Sequence, residues 1–220
     1  MARASDAAYG AIKDWIQRAE AAPGSLIDED DASRRLGMSR TPVREALLRL
    51  QSEGLVAIGR GRGIRVLPLS ASDMRDIYQV ITGLETVAVA LLAARRPVAA
   101  DLIALDSATA EMDQALASGD VDRWGEADER FHRELLRMSG NPKLHAIACQ
   151  MRDFAQRAHM VAVRLQDHAY RVTSTARHRD LLAVIVAGPA EAASGHHLAQ
   201  RQRGEDALVG IIERFGLTNL

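Results

Sequence analysis

The chain has 220 residues, a formal net charge of −1 and 47% apolar residues, yet aromatics make up only 4% of it. That length allows two modest domains, and an apolar fraction carried by Ala, Leu, Val and Ile favours packed helices over an aromatic-rich sandwich. The near-neutral balance excludes bulk attraction to nucleic acid or membrane, and a single cysteine, Cys149, excludes an internal disulfide framework.

Cys149 reads as a small core residue, which fits a reducing cytoplasm. The N-terminus lacks a signal peptide's apolar run, and no stretch is expected to approach the ~18 uncharged apolar residues of a spanning helix. The expected location is cytoplasmic, with no membrane partner.

In chain order, a first helix is predicted over residues 9–22, with Ile12, Trp15, Ile16 and Ala19 at helical spacing and Pro23-Gly24 as its stop. Asp28 can cap a second helix that runs to Leu36 and stops at Gly37. A third helix opens at Ser39 or Arg40, with Val43, Ala46, Leu47 and Leu50 as its apolar stripe. Pro42 is tolerated because it lies in the first turn, and Ser39 or Thr41 can cap. Residues 55–58 and 64–67 read as two strands joined by the glycine-rich run Gly59 to Gly63, a hairpin signal. Pro68-Leu69-Ser70 breaks the pattern. The organisation read from this is a helix-and-hairpin domain over 1–68, a linker at 69–72 and an all-helical domain over 73–220.

Charge is concentrated in the first of these. Between Arg34 and Arg65 there are eight arginines and two acids, Glu45 and Glu53, a local net of +6 in a neutral chain. Such a patch is the footprint of a nucleic-acid-binding module. Arg40 and Arg44 stand one turn apart at the start of the third helix, where a helix entering the major groove reads bases. The arginine fork can grip guanine or phosphate. Arg62, beside Gly63 at the hairpin tip, can follow the minor groove or backbone, whereas Arg34, Arg35 and Arg49 read as phosphate contacts. A plain solvated arginine-rich face does not explain why these residues coincide with a helix start and a turn.

The second half is predicted as helices over 73–95, 99–118, 121–139, 142–166, 170–187 and 190–215, with Ile77, Ile81, Leu84, Ala88 and Leu91 as the opening stripe. The overall class is mainly α, an N-terminal winged helix-turn-helix followed by an antiparallel helical bundle. Asp128 and His132 share a helix face at i,i+4 and can chelate one ion; carboxylate plus imidazole suits Zn²⁺, Ni²⁺ or Mn²⁺. His145, His159 and His168 read as core histidines satisfied by hydrogen bonds. Glu129-x-x-His132 superficially fits half of a di-iron motif, but no second Glu-x-x-His occurs, so a helical-bundle metalloenzyme is the weaker reading and the protein is not expected to be an enzyme.

The run Leu36-Gly37-Met38-Ser39-Arg40-Thr41-Pro42-Val43-Arg44-Glu45-Ala46-Leu47, with Leu50, Glu53-Gly54-Leu55-Val56 and Gly61-Arg62-Gly63, closely resembles the winged-helix signature of the GntR family of bacterial regulators. The resemblance implies operator contact from Arg40, Thr41, Arg44 and the wing at Arg62-Gly63, with Ser39 beside them. Two departures are Ala32, where leucine is usual, and Asp30, where some relatives carry a DNA-contacting arginine. The helical half resembles the FadR-type FCD domain through Asp73 to Tyr78, Leu84-Glu85, Asp128-x-x-x-His132 and Gly140-Asn141-Pro142. That resemblance implies a divalent metal held by one Asp and three His. Asp128, His132 and His178 match, while the last position falls on Gln200, with His196 one turn earlier and His197 beside it. Either His196 substitutes or affinity is reduced. It further implies a small organic effector, for whose pocket Arg75, Tyr78 and Arg164 are candidates, since Ile81 replaces an arginine of many relatives. The function so read is an effector-modulated regulator, a repressor by preference, that binds a palindromic operator in double-stranded DNA as a homodimer. A regulator that senses the metal ion directly is the alternative.

Overall fold

The computed structural model describes residues 2–18, 20–59 and 64–216, with residues 2 and 3 as backbone only. These divide into two compact units, the first ending at Ala71 and the second beginning at Ser72.

In the first unit, α1 spans Ala2–Gln17 and buries Ala8, Ile12 and Ile16. It begins earlier and ends earlier than its apolar spacing predicts; Ala19 lies outside the described residues. The helix formers after Gln17 yield to tertiary demand. The Ala21 amide folds back onto the Trp15 carbonyl at 3.0 Å, which turns the chain toward a short strand, β1, at Leu26–Ile27. Helix α2 covers Glu29–Leu36. The Asp28 side chain accepts from the Asp30 and Asp31 amides at 2.9 Å, and Gly37 closes the helix at φ 63°, a left-handed conformation that glycine adopts without strain. Helix α3, Arg40–Ser52, buries the predicted stripe Val43, Ala46, Leu47 and Leu50. Ser39 occupies its N-cap position, but the Ser39 side chain makes no capping bond.

Strands β2 (Val56–Ile58) and β3 (Ile64–Val66) pair antiparallel, with Val56 opposite Val66 and Ile58 opposite Ile64. β1 adds to the other edge of β3, giving the order β1-β3-β2. Two residues are too few for an alternating pattern to register, so β1 carries no sequence signal. Residues 60–63 lie outside the described ones, and with them Arg62 and Gly63 of the expected wing contact.

The second unit holds α4 (Ala71–Ala94), a 3-10 turn at Ala99–Leu102, α5 (Ile103–Ser118), α6 (Val121–Met138), α7 (Pro142–Leu165), α8 (His168–Ala187) and α9 (Ala190–Arg214). Side chains of Asp120, Asn141 and Asp167 cap α6, α7 and α8. The core is built on Leu92, Leu105, Met112, Trp124, Phe131, Leu135 and Ile185. α4 departs from expectation in two ways. It is long and apolar enough to cross a membrane by length and composition, yet 44% of its apolar window is buried within the protein. Its buried face is Met74, Tyr78, Ile81, Glu85, Ala88 and Leu92; Ile77 and Leu84 are only half-buried and Leu91 is exposed. A fully buried glutamate occupies the middle of that face.

Candidate functional site

The arginines of the first unit fall into two groups. Arg35 stacks over the Trp15 ring at 4.1 Å and pairs with Glu20; Arg49 stacks over Tyr9 at 3.7 Å and meets Asp6 and Glu53. Both act within their own unit, joining α1 to the helix-turn-helix through guanidinium-aromatic contact. Arg34 pairs with Asp31. At the start of α3, Arg40 forms a two-point pair with Asp30, at 2.6 Å from Nε and 2.8 Å from Nη2. Ser39, Thr41 and Arg44 are exposed on the same N-terminal turns, and among the described residues Arg44 has no acidic partner.

The second unit encloses a cavity of about 630 Å³, counting space open to solvent. Within it the buried Asp128 carboxylate on α6 is ringed by three imidazoles. His178 Nε2 lies 3.3 Å from Asp128 Oδ1, and His159 Nε2 and His132 Nε2 lie 3.5 and 3.9 Å from Oδ2. Each ring is anchored through its other nitrogen: His132 Nδ1 to Glu85 Oε2 at 3.0 Å, His178 Nδ1 to the Ser174 carbonyl at 2.7 Å, and His159 Nδ1 to Tyr78 Oη at 2.8 Å. Burial alone would raise the Asp128 carboxyl, but His159, His132 and His178 outweigh it and hold the group far below the usual carboxylate range. Burial drives His132 down to about 4 against the opposing pull of Glu85, so the ring is neutral at pH 7.

Beside this lies a second cluster. Glu85 bonds His132 Nδ1 and His197 Nε2 at 3.0 Å each and Arg152 Nη1 at 2.6 Å, while Arg201 Nε stands within ion-pair distance at 3.4 Å without a hydrogen bond. Burial would raise Glu85, but Arg201, His132 and Arg152 hold it well below its ordinary value. Glu85, His132 and His197 have ligand-like spacing, yet two guanidinium groups already neutralise that carboxylate. Asp128, His132 and His178, whose ligand atoms also lie within 4.8 Å of one another, meet no such competition. The donor set and its anchoring fit a divalent ion.

An FCD domain model matches residues 76–200, more than half of the chain, and the model of bacterial regulatory proteins of the gntR family matches residues 4–66. The chain belongs to the GntR family and carries an FCD domain. An HTH-type transcriptional regulator from the TAR-I ttuE-ttuC' intergenic region of Agrobacterium vitis is 45% identical over 132 residues, covering 59% of this chain and 77% of that one. YdhC, an HTH-type transcriptional regulator of Bacillus subtilis, is 26% identical over 207 residues, covering 93% and 91%. The solved structure of E. coli McbR/YncC is similar in fold, with a TM-score of 0.81 at 22% identity over 96% of this chain and 98% of that one. This GntR-family protein is a DNA-binding transcriptional regulator and not an enzyme.

Several expected positions in this regulator are corrected. His196 is half-buried and outside the cavity lining, where its Nε2 receives the Gln200 amide at 2.7 Å. His197, one residue on, lines the cavity instead, because one helical step is a rotation of about 100°. Gln200 lines the cavity too, but its amide nitrogen is spent on the Arg177 carbonyl and on His196. Of the effector-pocket residues, Tyr78 lines the cavity; Arg75 pairs with Glu213 and Arg164 with Asp122, both at the surface and outside it. The cations that do line it are Arg177 and Arg201. His159 is no hydrogen-bond-satisfied core histidine, since its buried Nε2 has no hydrogen-bond partner. Glu129 of the di-iron-like motif is held by Arg152 and Arg133 at 2.6 Å each. Glu85, beside the cavity, is visible in the sequence only as part of a family motif, and nothing in local sequence singles out His159 or Arg201.

Proposed function

We propose that this regulator is a cytoplasmic homodimeric repressor that binds a palindromic operator and responds to a small organic effector in a metal-containing cavity of its FCD domain. The observation that carries the reading is the convergence of anchored imidazoles on the buried Asp128 carboxylate within a cavity that also presents Arg177, Arg201 and Tyr78. Asp128, His132 and His178 would hold Zn²⁺, Ni²⁺ or Mn²⁺, and the ion would supply a Lewis-acidic point for an oxygen-bearing ligand. Arg201, buried against the Tyr78 ring with its Nη2 lacking a hydrogen-bond partner, offers a cation to the same ligand. Occupancy would favour one arrangement of the DNA-reading domains through differential affinity, with a coupling of about 1–3 kcal/mol.

The test is metal analysis of purified protein followed by operator titration in chelator. Chelation is expected to abolish the effector's influence on operator affinity. A protein that retains none of the three ions overturns the metal site. If chelation changes operator affinity without any effector present, the ion is itself the signal.

The dimer is supported by a second apolar face on α4, where Val80 and Val87 are 47% and 49% exposed, Leu91 lies beside them, and Gly83 opens on free space. An uncovered helix face of this kind is a contact surface. Val87→Arg is expected to convert the protein to a monomer in sedimentation and to weaken operator binding; an unchanged mass would place the interface elsewhere.

A further inference from the structure

We propose that His159, on α7, is the fourth protein ligand of the metal, in the place that Gln200 leaves unfilled; this rests on the reading that the cavity holds a divalent ion. His132, His178 and His159 come from three helices, and in each ring Nδ1 is occupied by an oxygen partner while Nε2 faces the Asp128 carboxylate. The Glu85 carboxylate and the Ser174 carbonyl only accept, so they fix the Nδ1–H tautomer and leave the Nε2 lone pairs of His132 and His178 for a ligand; the Tyr78 hydroxyl can accept from His159 Nδ1 in the same way, and an ion at Nε2 selects that tautomer. The Nε2 atoms of His178 and His159 are both buried with no hydrogen-bond partner, the arrangement that an absent electrophile would satisfy.

Gln200 is poorly suited to the role. Its nitrogen donates to the Arg177 carbonyl at 2.9 Å and meets His196 Nε2 at 2.7 Å, and a carboxamide oxygen is a weak donor toward ions that prefer imidazole. Asp128, His132 and His178 already have ligand-like spacing, and His159 Nε2, 3.5 Å from Asp128 Oδ2, would have to close on them to complete the four ligands that such an ion takes, drawn from α6, α7 and α8 alone. α9 then contributes no ligand, and its Arg201 and His197 remain in the lining for the organic effector. Tyr78 acquires a role as well: it positions the His159 ring from α4, at the residue opening toward Arg201.

The experiment loads the full-length protein with Co²⁺ and compares visible absorption and affinity, by chelator competition, across wild type, His159→Gln, Gln200→Ala and His132→Ala. His159→Gln is expected to alter the ligand-field bands and to weaken Co²⁺ by more than the roughly 10–100-fold that loss of a supporting hydrogen bond produces. Gln200→Ala is expected to leave both nearly unchanged. Unaltered bands in His159→Gln, or altered bands in Gln200→Ala, overturn the assignment. X-ray absorption on Zn²⁺-loaded wild type needs no variant to fold and is expected to count three imidazoles; two imidazoles would overturn it. Wild type that binds no Co²⁺ at all sinks the metal site itself, whereas wild-type binding lost in His132→Ala but intact in His159→Gln sinks only the role of His159.

Discussion

Glu85→Ala is expected to destabilise the FCD domain by about 3–5 kcal/mol, the cost of removing one partner from a buried charge network. Glu85 is fully buried and faces Arg152, His132, His197 and Arg201 at once. Arg152 would keep Glu129, which accepts from it at 2.6 Å. Arg201 would keep no acid within reach among the described residues, only the Tyr78 ring at 5.0 Å, so a guanidinium would stand uncompensated in the interior. For a chain of this size each kcal/mol lowers the melting temperature by about 2–4 °C, so a drop of roughly 6–20 °C is expected in a thermal melt. Glu85→Gln, which keeps the shape and one acceptor, should lose less. A melting temperature within a degree or two of wild type for Glu85→Ala would refute the network's structural weight. The same variant frees His132 Nδ1, so metal affinity should fall by about 10–100-fold even in the fraction that remains folded.

That network also shows where the sequence is readable and where it is not. Caps and stops are local, and they are legible: Asp28, Gly37 and Pro42 act at the positions their chemistry suggests. The stripe of α3 is legible because only one of its faces is apolar. On α4 two faces compete at helical spacing, one through Ile81, Ala88 and Leu92 and one through Val80, Val87 and Leu91. The stripe read from spacing, Ile77, Ile81, Leu84, Ala88 and Leu91, straddles the two, and only its Ile81 and Ala88 are buried. The fold turns the Glu85 side inward, because Arg152 lies 67 residues further on and meets Glu85 there; no window on α4 contains that partner. The candidate metal residues divide the same way. Asp128 and His132 are one turn apart on one helix, and His178 was reached by family resemblance. His159 has no near neighbour in sequence that would mark it as a ligand, since the groups that orient it are Tyr78 on α4 and Asp128 on α6. The sequence leaves the last position between His196 and Gln200; that His197, one helical step from His196, lines the cavity in its place is something spacing from a distant motif does not fix.

Arg44→Ala is expected to weaken binding to the operator more than any other single arginine change in the helix-turn-helix. Arg35 and Arg49 are engaged by acids and aromatic rings of their own unit, so their loss acts first on the packing of α1. Arg40 is already held by Asp30, and whatever it gains on DNA is offset by what that pair loses or shares. Arg44 is exposed one turn further along α3 and, among the described residues, is in no ion pair, so its fork enters the complex unspent. Loss of an arginine that grips a guanine costs about 1–3 kcal/mol, and the proposed two-fold dimer would lose it at both half-sites, about 2–6 kcal/mol in all. That corresponds to a fall of roughly 30-fold to 10⁴-fold in affinity, measurable by fluorescence anisotropy on the protein's own promoter region. Arg44→Lys separates two kinds of contact. If Arg44 reads a base, lysine keeps the charge and the salt dependence but loses the fork, and discrimination at that base pair relaxes. If Arg44 grips phosphate, lysine restores most of the affinity, and alanine lowers the salt slope by about one per half-site without changing sequence preference. Wild-type affinity and an unchanged footprint for Arg44→Ala would remove α3 from the operator contact altogether.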